Sequence, residues 1–147
     1  VTTMLNRQEL TTTIKELKGR KVEAAQALYC VRTNAPLDVV LLLLKVKGGH
    51  WHRVFLDAGV VFWEETRTLD PSDTDVEPAG DRTFELRDLE MVVGQTLGVV
   101  TMAQADDGGV LTVPFVGGGS LVLACRDAGL DEEHTTLVVT LPPSPAG

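Results

Sequence analysis

DVVLLLLKVKGGHWHRVFLDAGVVFWEET (38–66) decides the fold: three apolar runs, each short enough for a strand, are parted by breaks that contain glycine. Short runs rich in Val, Leu and aromatic residues with Gly between them are what consecutive antiparallel strands joined by tight turns require. The first run, VVLLLL, does not alternate apolar with polar, which predicts a strand covered on both faces. In the second, the two-residue period of a strand puts His50 and His52 on one face and Trp51 on the other. The third closes on FWEE and runs directly into acidic sequence.

Working outward, KVEAAQALYCVRT (21–33) reads as a preceding strand. TLGVVTMAQ (96–104), VLTVPFV (110–116), SLVLACR (120–126) and TTLVVTL (135–141) read as four later ones, punctuated by ADDGG, GGG and DAGLDEEH. LNRQELTTTIKELKG (5–19) predicts a helix over 6–18. Asn6 can cap it, Glu9 can close a capping box, and Leu10, Ile14 and Leu17 form one apolar stripe ended by Gly19. FELRDLEMV (84–92) predicts a short helix or turn. The expected architecture is α+β but mainly β: an N-terminal helix packed on antiparallel meander sheets of about eight strands.

One domain over 1–141 suits a chain of 147 residues, with PPSPAG (142–147) as a fraying tail. Sliding the chain by 70 positions lays GGHWHRVFLDAG (48–59) on GGSLVLACRDAG (118–129), and suggests two related four-stranded halves, 1–66 and 84–141, joined by an acidic loop, 67–83. Gly19 and Val22 then correspond to Gly94 and Leu97, and His50 and His52 fall opposite Ser120 and Val122. Turn chemistry alone selects Gly, Asp and Ala, so independent hairpins explain the same matches.

Charge is segregated. The net −8 divides into +4 over residues 1–63 (nine basic, five acidic), −7 over 64–90 (three and ten) and −5 over 91–147 (one and six). Such a balance argues against nucleic acid, whose phosphates need an attracting field. The longest aliphatic run, Val39 to Leu44, is far short of the ~20 residues of a membrane helix, so no membrane partner is expected. VTTMLNRQEL has no basic-then-apolar leader pattern, and Cys30 and Cys125 lie far apart in apolar runs as buried thiols would. A cytoplasmic, bacterial-type protein is the expectation.

No catalytic signature stands out. Cys30, Ser120, Asp127 and His134 supply the residue types of a nucleophile and its base, but no local motif marks them, and GGGS (117–120) lacks the Lys-Ser/Thr of a phosphate loop. Neither a catalytic residue nor a cofactor is therefore assigned. The first functional reading is a non-catalytic acidic protein that engages a basic protein partner, such as an inhibitor or an immunity-type antidote. Its surface would comprise Trp63, Glu64, Glu65, Asp70, Asp73, Asp75 and Glu77, an aromatic anchor beside a field of one sign. Two other readings stand beside it: a small metal- or ligand-binding domain or enzyme using His50 and His52, and an assembly subunit whose strand edges form a homo-oligomer.

Overall fold

A computed structural model describes residues 2–5, 11–14, 17–33, 37–57, 60–69, 74–105, 108–127 and 133–142. The strands are β1 (Thr2–Leu5), β2 (Thr11–Ile14), β3 (Val22–Arg32), β4 (Asp38–Val46), β5 (Trp51–Asp57) and β6 (Val60–Thr66), followed by β7 (Arg82–Asp88), β8 (Val100–Ala105), β9 (Gly108–Pro114), β10 (Ser120–Asp127) and β11 (Glu133–Thr140). The nine from β3 onward make two antiparallel sheets. β6-β5-β4-β3-β7 is one and β11-β10-β9-β8 the other, and the four-residue strands β1 and β2 extend them beside β6 and β8. The eight strands read from the apolar runs are therefore all present.

No helix occurs among the described residues, which corrects the expected α component. Within 6–18, Thr11–Ile14 is strand β2, residues 17–19 form a turn, and the remainder, 6–10 and 15–16, lies outside the described residues. The cause is local. TTTI is four β-branched residues in succession, which favour extended backbone, and the ladder Thr11↔Ala103 to Ile14↔Val100 supplies their hydrogen bonds. FELRDLEMV resolves similarly: Arg82–Asp88 pairs along β3, and coiling is confined to tight turns in which Val92 N–H donates to Leu89 O (3.0 Å) and Gln95 N–H to Val92 O (3.1 Å).

Apolar side chains of both sheets meet in one core, with Ala27, Leu42, Leu44, Val54 and Trp63 facing Val100, Leu111, Val113, Leu121 and Leu123. The reverse face of the first sheet has a second cluster, Leu28, Leu41 and Leu43, covered by Trp51, Phe55, Leu69 and Phe84. Leu41–Leu44 is thus buried on both sides, as its unbroken apolar run requires, each leucine contributing roughly 2–3 kcal/mol of transfer free energy. Leu69 comes from the acidic connector, so part of that segment is structural cover. Cys30 is a buried free thiol.

The two meanders are related by a two-fold pattern of hydrogen bonds. Lys21 bridges Thr96. Around that point Gly19 N–H donates to Leu97 O (2.8 Å) while Gly94 N–H donates to Val22 O (2.9 Å). Likewise Lys47 N–H donates to Lys21 O and Val116 N–H to Thr96 O, both at 2.8 Å. Registers repeat the relation: Leu44 faces His52 as Val113 faces Leu121, and Val54 faces Trp63 as Leu123 faces Leu137. Gln26 pairs with Asp88 of β7 as Thr101 pairs with Thr13 of β2, so β2 and β7 each join the sheet built by the other meander. Counterparts in β4 and β5 stand 69 positions apart, one fewer than the glycine match indicates. His50 and His52 consequently answer to Gly119 and Leu121, and not to Ser120 and Val122.

Candidate functional site

Three elements of the first half converge where β4 turns into β5. The turn needs Gly48 at φ +75°, a conformation side chains rarely adopt, and Gly49 N–H donates back to Val46 O at 3.0 Å. Beside it the chain bends from Leu17 to Arg20, closed by Arg20 N–H donating to Leu17 O at 3.1 Å, and β6 brings Glu65 opposite His52. Leu17, Arg20, Val46, Gly49, His50, His52 and Glu65 line an open cavity of about 280 Å³.

The two histidines differ in kind. His50 is exposed, and its Nδ1 donates to Glu65 Oε1 at 2.8 Å, an arrangement that orients the ring and directs Nε2 away from the carboxylate. His52 is only 3 % exposed, held between Leu44 and Val54 on the inner face. Trp63 Nε1–H donates to its Nδ1 at 3.1 Å, and the rings meet edge to face at 5.5 Å. An indole nitrogen can only donate, so Nδ1 bears the lone pair and the neutral ring carries its hydrogen on Nε2. They are not the side-by-side surface pair that strand periodicity suggests, and among the described residues no three His, Cys, Asp or Glu side chains group as metal ligands.

The residues of the expected acidic surface are dispersed. Trp63 is 5 % exposed and belongs to the core, so its indole offers no face to a partner. Glu64 accepts from Arg53 at 2.8 Å on the outer side of the sheet, while Glu65 meets His50 at the exposed rim of the cavity. Asp75 and Glu77 are exposed; Asp70 and Asp73 lie outside the described residues. Cys30 sits on β3 and Ser120 on β10 of the other sheet, and the side chains of Asp127 and His134 are outside the described residues. GGG at 117–119 is a hairpin turn in which all three glycines have positive φ.

Arg20 and Leu17 escape sequence reading because only the turn pairing brings them to His50. The two-fold relation exposes them. Arg20, His50, His52 and Glu65 have as counterparts Gln95, Gly119, Leu121 and Val139, none of which carries charge. The same backbone thus closes without those four polar side chains; Arg20, His50 and Glu65 are not demanded by the fold, whereas His52 also accepts the Trp63 indole N–H in the core. No known protein family matches this chain, and neither does a curated protein or a solved structure.

Proposed function

We propose that the chain is a binding module whose site is the cavity between the Leu17–Arg20 turn, the β4–β5 turn and β6, and that it takes a small polar ligand. The observation that carries this reading is the one-sided placement of Arg20, His50, His52 and Glu65 around a cavity, against uncharged residues at the equivalent end of the second half. Pockets of this kind combine an apolar floor, here Leu17 and Val46, with a few oriented polar groups.

The test exchanges the halves' residues. Arg20→Gln, His50→Gly and Glu65→Val together should retain the β-sheet circular dichroism spectrum, because each new residue is the one the scaffold already accommodates. Binding of small polar fragments, read from amide shifts of Leu17–Lys21 and Lys47–His52, should vanish. If Arg20→Gln with His50→Gly, two exposed positions, leaves fragment shifts at the cavity unchanged, the reading is wrong.

A second reading rests on the opposite edge of the same sheet. β7 is exposed at six of its seven positions, and Asp81, Glu85, Asp88 and Glu90 continue the exposed acids Asp75 and Glu77 along it. An open strand edge whose acids outnumber its two arginines, Arg82 and Arg87, the latter paired with Glu85 at 2.9 Å, suits a basic protein partner, the inhibitor or antidote role included. Capture of basic proteins by the immobilised chain should then weaken with salt and with Asp75→Asn and Glu77→Gln; capture indifferent to both removes this reading.

A further inference from the structure

We infer that the ligand of this cavity is a small organic anion, a carboxylate or a phosphate monoester, held by Arg20; the inference rests on the binding reading above. Lys18, Arg20, Lys21 and Lys47 are all exposed around the two turns, and none has an ion-pair partner among the described residues. Their counterparts in the second half are Val93, Gln95, Thr96 and Val116, so one end of a chain of net charge −8 is locally cationic while the four equivalent positions are uncharged. Of two nearby acids, Glu23 pairs with Lys45 at 3.2 Å and Glu65 accepts from His50, and the four cations outnumber the Glu65 carboxylate. The field at the mouth is therefore positive, which concentrates anions there.

The guanidinium is also placed. Arg20 Nη1 lies 3.8 Å from where a Cβ on Gly48 would stand, so the guanidinium is beside the β4–β5 turn at the cavity's rim. A planar fork there matches the two oxygens of a carboxylate or phosphate. The cavity, about 280 Å³, has room for an acid group joined to a body of one ring. Leu17 and Val46 give that body an apolar floor.

Three probes of nearly equal size separate the possibilities: benzoate, phenyl phosphate and the neutral benzyl alcohol, titrated into the full chain at low salt and followed by amide resonances. Both anions should shift Leu17–Lys21 and Lys47–Trp51, bind about tenfold or more tighter than benzyl alcohol, and weaken with added chloride. Arg20→Gln should reduce anion affinity about tenfold or more, the scale of losing a charge-assisted bidentate contact, whereas Arg87→Gln on distant β7 should not change it. The ratio of benzoate to phenyl phosphate affinity assigns the acid group.

Benzyl alcohol binding as tightly as benzoate at the same residues would overturn the anion assignment while leaving the cavity as a ligand site. Anion shifts that persist in Arg20→Gln would place the charge recognition on the surface lysines and overturn it as well. No shift from any probe up to about 10 mM, the range of a single weak contact, would overturn both the assignment and the binding reading.

Discussion

Replacing Trp63 with alanine should cost about 3–5 kcal/mol of folding free energy, the range for removing a large buried aromatic. Its indole is 5 % exposed and packs in the shared core opposite Val54, so truncation opens a void between the sheets that neighbouring strands cannot collapse into without losing their ladders. Chemical denaturation, followed by the emission of the remaining Trp51, measures the loss. Trp63→Phe separates the two parts of the effect. Phenylalanine retains most of the apolar area but has no N–H, which leaves His52 Nδ1 without its donor in a buried setting, at about 1–3 kcal/mol. A loss near zero for Trp63→Ala would return the residue to the surface and revive it as an anchor for a partner.

The same tryptophan shows what was legible in advance. Strand composition and turn glycines locate β3–β6 and β8–β11 because those signals are local and repeat eight times. Burial of His52 was also readable in part, since it shares a strand face with Val54, but His50 two residues earlier precedes the strand and breaks the inference that both lie on one surface. The N-terminal segment misleads because three apolar residues at helical spacing coincide with TTTI, and the choice is made by a ladder to β8 nearly ninety positions away. Arg20 is invisible for the same reason: its place beside His50 depends on pairing between turns. Matching glycines shifts the halves by one position because turns select Gly wherever they bend, while the core registers follow side chains that must meet across strands. That one position changes the counterparts of both histidines.

Gly119, the counterpart of His50, should tolerate alanine poorly, with a loss of about 2–4 kcal/mol from two additive causes. Its φ of +81° disfavours any side chain, and a Cβ there would collide with the carbonyl oxygen of Thr140 and approach the backbone of Leu141 and Pro142 to 2.8 Å. Gly117→Ala is the control: φ is +97°, but nothing lies within 4 Å, so only backbone strain of about 1–2 kcal/mol applies. Denaturation midpoints of the two variants should therefore differ clearly, and equal losses would mean that residues 140–142 do not press against the turn. The contrast bears on function, because that backbone occupies, in the second half, the space next to the position where the first half carries an exposed histidine and an open cavity. Gly119→Ala should accordingly lower stability while benzoate affinity, measured where the variant is fully folded, stays at the parent value; a parallel loss of both would show that the two ends of the molecule do not act independently.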